Sequence, residues 1–417
     1  MIEAAEQAYV AAFADSLWMQ ASRRVVAALT VKETERVYGA LSRCEEIAVR
    51  REPGERLTWR REHLDSEALA RVGQPWVDRL LKERAHAAGT ETPETRWPEG
   101  HPFAVCLSHD MDHVSAHLLV APWRRAARMA ALDGRTAAGR AHMYGQAARA
   151  SSGAWLRRNL LRSHDRFANT ADWMQLEADH GFRSTLYFLP SRIVPWHPYD
   201  PDFTFSDRVT FDGRVMPLGA MIRAIHSRGW EIGLHGTFHS ATEPGVLAMQ
   251  KDELEAELGQ PIRTVRQHYL QYDPTVTPGI HAAAGLIADG THGFNDLLGF
   301  RAGTAFPYRC WDWATRAPAP LWEVPLHIQD GALLRDNPTV DVAVARCLPL
   351  LDAVQSVGGC LSILFHPARL ATDSGFAVYR ALLGEAKRRG AWGCGTAQLV
   401  DWWQARTSAG AAAVSTG

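Results

Sequence analysis

Two short groups of residues in this chain have the types and spacing to do chemistry: Asp110-Met111-Asp112 and His235-Gly-Thr-Phe-His239. One carboxylate with two imidazoles at i and i+4 makes a metal-binding set that leaves positions open for water and substrate. A second carboxylate two residues from the first can then serve as a base. In an extended segment, alternation puts Asp110 and Asp112 on one side, so both can face the same water. Each fragment alone is weak, because an HxxxH pair is more often two surface histidines and a DxD after a strand is often a helix cap. Each follows an apolar run, and their joint occurrence favours a site. The same alternation turns His109 and His113 away from the two aspartates, which gives them structural roles.

The elements that must position these residues are short apolar runs rich in β-branched and aromatic side chains. They are FAVCLS from Phe103, STLYFL from Ser184, WEIGL from Trp230, LWEVPLHI from Leu321 and LSILFH from Leu361. Helix-like stretches such as MPLGAMIRAIHSRG and TVDVAVARCLPLLDAVQSVGG separate them, and this alternation predicts an α/β fold with a parallel sheet or barrel. Polar clusters stand just past the run ends, where such folds build active sites. Residues 1–97 read as a mostly helical region without nameable chemistry. The Thr/Pro/Glu/Gly-rich stretch 88–103 reads as a linker. A catalytic region is expected over 98–405 and a flexible tail over 406–417. Residues 121–166 hold ten arginines against Asp133 and Asp165 and read as a basic helical insertion, with either a solvated face or a surface for an anionic polymer or lipid-linked substrate.

Composition narrows the function. With 46% apolar and 22% charged residues over 417 positions the chain is globular, and 45 basic against 46 acidic side chains give a net charge of -1. No global field draws it to nucleic acid or membrane. No stretch approaches the roughly 18 apolar residues of a membrane span. Six cysteines stand singly, without CxxC spacing, and the first residues lack the pattern of a secretion signal. A cytoplasmic protein is the expectation.

The quoted motifs resemble those of the polysaccharide deacetylases with a NodB-homology domain, carbohydrate esterase family 4, and especially a branch whose first motif reads THDVD, here Ser108-His109-Asp110-Met111-Asp112. The resemblance spans about Trp97 to Trp403. It implies a distorted (β/α) barrel and a divalent metal, usually zinc with cobalt or nickel as alternatives, that removes acetyl groups from N- or O-acetylated sugars. It makes Asp110 the general base and Asp112, His235 and His239 the metal ligands. The third motif, Arg266-Gln267-His268-Tyr269, implies that Arg266 orients the base and that the Tyr269 N–H donates to the developing oxyanion. Gln267 and His268 stand where prolines are common. The run ending in His366 implies a general acid, which needs a carboxylate neighbour to stay protonated. Asp289 is the candidate neighbour, with Asp296 and Asp312 as alternatives. Arg301 in GFRAGTAFPY is assigned either to substrate or to a salt bridge. Several of the fifteen tryptophans, Trp196, Trp311, Trp313, Trp402 and Trp403 among them, would suit sugar stacking, although core or rim positions are commoner.

Three other readings remain open at this level. A cytoplasmic amidase acting on a small biosynthetic metabolite would keep the site and change the substrate. A non-haem Fe(II) oxygenase shares the 2-His-1-carboxylate set but leaves Asp110 and His366 idle. A binding module without activity would be expected to have lost at least one of the base, ligands and acid.

Overall fold

The computed structural model describes residues 2–18, 22–47, 58–90, 97–131, 136–161 and 165–415. Its strands are β1 (Ala104–Asp110), β2 (Thr185–Phe188), β3 (Arg208–Phe211), β4 (Arg214–Pro217), β5 (Glu231–Gly236), β6 (Thr264–Gln267), β7 (Ala288–Asp289), β8 (Tyr308–Asp312), β9 (Ala317–Glu323), β10 (Ile328–Gln329), β11 (Cys360–Leu364) and β12 (Trp392–Cys394). The main sheet runs β10-β11-β1-β2-β5-β6-β7-β9-β8, with β12 also on β1, and β3-β4 form a separate hairpin. All pairings in the main sheet are parallel except β8-β9. Strand β1 is wholly buried, in keeping with the apolar run Ala104–Leu107 that opens it.

The sheet curls into a distorted, incompletely closed (β/α) barrel. Its terminal strands β10 and β8 do not pair with each other. Loops join across instead, with the Leu326 N–H donating to the His292 carbonyl and the Gly299 N–H to that of His327. Helices including Leu218–Ser227, Val246–Leu258, Val340–Val357 and Asp373–Arg388 cover the outside. Among the described residues, no helix is long and apolar enough to cross a membrane.

LWEVPLHI, expected as one strand, is two. Strand β9 ends at Glu323 and β10 starts at Ile328, with Pro325 between them removing a ladder donor. The region before 97 is helical as expected, and it shares one apolar core with the barrel through Tyr9, Val10, Phe13, Leu17, Val77 and Leu81. Its polar ties are also buried. Glu46 takes Nε of Arg301 at 2.8 Å and Nε of Arg43 at 2.9 Å, while Asp78 accepts from Thr304 Oγ1 at 2.6 Å and the Ala305 N–H at 2.7 Å. Burial opposes ionisation of Glu46, yet Arg301 and Arg43 hold it well below the usual carboxylate range. Arg301 is therefore spent on the structural salt bridge rather than on substrate.

Part of the expected linker, 91–96, lies outside the described residues, and Trp97 is buried against Phe306, Trp392 and Trp403. The helix Thr396–Ser415 continues through most of the expected tail, in keeping with the helix propensity of its alanines. The basic insertion forms a helical pair, Ala121–Ala131 and Ala137–Asn159. Three of its arginines are committed, Arg124 to Asp207 at 2.7 Å and Arg125 and Arg128 to Asp202 at 3.1 Å.

One buried histidine sets a pH limit on stability. His327 accepts the Ser362 N–H on Nδ1 at 3.0 Å and faces the Thr304 carbonyl with Nε2 at 3.2 Å, an arrangement that only the neutral ring satisfies. Burial pushes its pKa down to about 4, against the weaker opposing pull of the Thr304 carbonyl. Because the folded pKa lies below the unfolded one, the associated stability is complete above pH ~6.5 and falls away towards pH ~4. Urea unfolding at pH 7 and pH 5 should show about 2 kcal/mol lost through this group. His327→Gln, which keeps an acceptor and a donor, should remove that part of the slope. An unchanged slope would contradict the assignment.

Candidate active site

The carboxyl ends of five parallel strands meet at one point. Asp110 closes β1 and Asp112 follows it, His235 is the penultimate residue of β5, Arg266 and His268 flank the end of β6, Asp330 follows β10, and His366 stands two residues after β11. Parallel barrels place functional side chains at this face because the connecting loops there are free to vary.

Arg266 is buried at the centre. Its Nη1 donates to Asp110 Oδ1 at 3.1 Å and to Ser108 Oγ at 2.7 Å, its Nε donates to the Gly290 carbonyl at 2.8 Å, and its guanidinium lies 4.7 Å from the Tyr187 ring centroid. A Cβ at position 290 would sit 2.9 Å from Arg266 Nη2, so glycine is needed beside this side chain. The fork thus fixes one oxygen of Asp110 and leaves Oδ2 facing His235 Nε2 at 3.8 Å and His366 Nε2 at 3.9 Å.

A group of side chains that could hold a cation lies next to this pair. The ligand atoms of Asp112, His235 and His268 all lie within 4.8 Å of one another. His235 Nδ1 is 2.8 Å from the Arg266 carbonyl and His268 Nδ1 is 3.2 Å from Asp200 Oδ1. Each contact fixes the tautomer that presents a bare Nε2, the usual outer support of a metal-binding histidine. Asp112 Oδ1 is 3.2 Å from His235 Nε2 and 3.6 Å from His268 Nε2. Asp112 Oδ1 and His235 Nε2 are nevertheless both buried without a hydrogen bond of adequate geometry. Two orphaned lone-pair donors facing each other fit a cation between them, because buried polar atoms otherwise find partners. Burial opposes charge on Asp112 and His235 alike. The His268 and His235 rings hold Asp112 well below the carboxylate range, and Asp110 and Asp112 raise His235.

The structure does not bring His239 into this set. Strand β5 ends at Gly236, and the chain turns, with the Ser240 N–H on the Thr237 carbonyl and the Thr242 N–H on that of His239. Spacing of i, i+4 superposes side chains on a helix, not across a strand end and a turn. His239 is left 34% exposed, 3.8 Å from Glu243 and against the rings of Phe238 and His197. His268 occupies the place instead. It heads a short turn in which Tyr269 and Leu270 both have positive φ, 59° and 53°, a conformation that costs non-glycine residues energy and concentrates at functional sites.

Beside the two aspartates, His366 Nδ1 contacts Asp330 Oδ1 at 2.7 Å, and the His366 N–H donates to Asp330 Oδ2 at 2.6 Å. Burial would lower the pKa of this imidazole, but Asp330, with Asp112 and Asp110 behind it, pushes it up to about 10. Asp289 does not serve His366. It is buried on β7, where its Oδ2 lies 2.9 Å from His281 Nδ1 and its Oδ1 accepts the Thr291 N–H at 2.8 Å. Of the two alternatives, Asp296 takes the Arg61 N–H and Asp312 caps the Ala314 N–H. His109 is held by Glu177 and the Phe365 carbonyl, both at 2.8 Å, and His113 stacks on Phe167. Both are structural placements.

The site opens into a cavity of about 380 Å³, with Asp110, Asp112, His235, His268, Tyr269 and His366 at its inner end. Trp311 and Trp403, among the tryptophans considered for sugar stacking, are buried in the core.

No family model matches the chain, and no curated protein is found similar to it. Among solved structures it is similar to a Mycobacterium smegmatis protein named as a polysaccharide deacetylase, at 17% identity and a TM-score of 0.47, covering 76% of this chain and 95% of that one. It is similar to the Puue allantoinase at 14% identity and a TM-score of 0.46, with the same coverages of 76% and 95%. It is also similar to a carbohydrate esterase family 4 pseudoenzyme of Bacillus anthracis, at 11% identity and a TM-score of 0.33, over 73% of this chain and 68% of that one.

Proposed function

We propose that this chain is a metal-dependent hydrolase that removes acetyl groups from an N-acetylated, or O-acetylated, sugar or related small molecule. The observation that carries the reading is the convergence of bare donors on Asp112, His235 and His268 beside an Arg266-held carboxylate and an Asp330-held imidazole. The motif resemblance to the polysaccharide deacetylases supports the reaction class. The ligand set is assigned to Asp112, His235 and His268, with zinc the expected ion and cobalt or nickel able to replace it.

A divalent ion bound there supplies Lewis-acid polarisation of the acyl oxygen and a lowered pKa for water. The chain's own residues do the rest. Asp110 Oδ2 accepts the proton of the attacking water, while Arg266 holds the carboxylate in place. The Tyr269 N–H donates to the acyl oxygen as it gains charge, a fixed dipole needing no reorganisation. His366 delivers a proton from Nε2 to the departing nitrogen or oxygen, and Asp330 fixes its ring and keeps it protonated.

An acetate-release assay on a panel of N-acetylated sugars tests the reading. Turnover should vanish on chelation and return with added zinc. Release that survives complete removal of metal, or none from any acetylated compound by the zinc-loaded protein, would overturn it.

A further inference from the structure

Beyond the acyl centre, the outer wall of the cavity is built by Arg60, Asn295, Asp296, Gln329, Gly331 and Arg335. Arg60 comes from the N-terminal region, to which the sequence assigns no role, and Arg335 from the segment that follows Asp330. Neither guanidinium forms an ion pair among the described residues, and the one hydrogen bond of Arg335 is a long one, 3.4 Å, to the Asn295 carbonyl. The arginines nearer the core are spoken for, Arg266 by Asp110 and Arg301 by Glu46. The one outer-wall carboxylate, Asp296, is turned to the Arg61 N–H, with its two oxygens at 3.2 and 3.3 Å. The cavity therefore has a carboxylate-rich inner end suited to a cation and an outer end with two guanidinium groups that form no ion pair among the described residues.

A guanidinium is permanently charged, and its planar fork matches the oxygens of a carboxylate or phosphate. Two of them on separate elements, lining one small cavity without an ion pair among the described residues, make an anion subsite. The volume, about 380 Å³, stands near the lower end of the range for small-molecule pockets, which fits a monomeric substrate better than a segment of polymer.

We propose that the natural substrate is a small acylated molecule carrying an anionic oxyacid group, carboxylate or phosphate, which binds Arg60 and Arg335 while its acyl group lies among Asp112, His235 and His268. The inference rests on the hydrolase reading for the acyl end. The N-terminal region is then part of the substrate site, not an appendage.

The test compares kcat/KM of the zinc-loaded full chain on N-acetylglucosamine, N-acetylglucosamine 6-phosphate and N-acetylmuramic acid, which offer no anion, a phosphate and a carboxylate. The two anionic compounds should be favoured by about ten- to hundredfold, as expected for charge-assisted hydrogen bonds, and the better of them identifies the group. In the Arg60→Gln/Arg335→Gln double variant the ratio of anionic to neutral kcat/KM should fall towards one, and the corresponding lysine double variant should restore part of it. Equal kcat/KM for all three compounds, or a preference that the glutamine variant retains, would overturn the proposal.

If no compound is hydrolysed, the deacetylase reading fails, and calorimetric titration of the sugar phosphate into native and double-variant proteins still decides the anion subsite. Binding weakened at least about tenfold in the variant supports it, and equal binding by both proteins, which places the phosphate elsewhere, refutes it.

Discussion

His268→Ala is expected to reduce bound zinc from about one per chain to near zero, while His239→Ala retains zinc as the native protein does, by elemental analysis after dialysis. Their exchange of roles follows from the backbone. His268 is carried into the site by the turn after β6, with its Nδ1 against Asp200 and its Nε2 3.6 Å from Asp112. His239 lies beyond the turn after β5, one-third exposed, beside Glu243. Removing a ligand from a three-residue set leaves only two donors, so affinity falls far more than by loss of an outer support, which costs ~10- to 100-fold. Asp200→Asn belongs to that milder class and should weaken metal binding without abolishing it. Zinc lost in His239→Ala and kept in His268→Ala would reverse the ligand assignment.

Asp110→Asn is expected to lower turnover by about 10³-fold with metal content unchanged. Asp110 is fixed by Arg266 at 3.1 Å, is absent from the cation-binding set, and keeps one oxygen towards the cavity. The substitution preserves size and an acceptor for the arginine while removing proton affinity, so the fold is retained. The buried guanidinium does lose its counter-charge, a change that costs several kcal/mol when a partner is deleted outright. Thermal unfolding of the variant must therefore accompany the kinetics. A folded, metal-loaded Asp110→Asn protein with native turnover would remove the residue from the role of base.

Much of this site can be read from strand ends alone. Asp110, Asp112, His235 and His366 each follow an apolar β run, and chain direction in a parallel sheet collects such positions at one face. Asp330 escaped because β10 is two residues long and merges with β9 into one apparent run, which hides its strand end. The carboxylate expected from Asp289 lies on the correct face of the sheet but faces His281, a choice made by packing that spacing does not encode. His268 had a readable signal: it lies two residues after Arg266 at a strand end, and alternation places such a pair on one side. That signal is obscured when the loop is viewed only as a departure from a proline-containing motif. The docking of the N-terminal helices, which puts Arg60 at the cavity, depends on long-range contacts such as Glu46 with Arg301 and has no local sequence signature.

The most direct test of the metal centre is a crystal structure of the protein grown with zinc, with anomalous diffraction recorded on both sides of the zinc edge. One strong anomalous peak is expected, bound by His235 Nε2, His268 Nε2 and an Asp112 oxygen, with Asp110 and His366 beside it. A peak held by His239 in place of His268, or no peak within reach of Asp112, would contradict it.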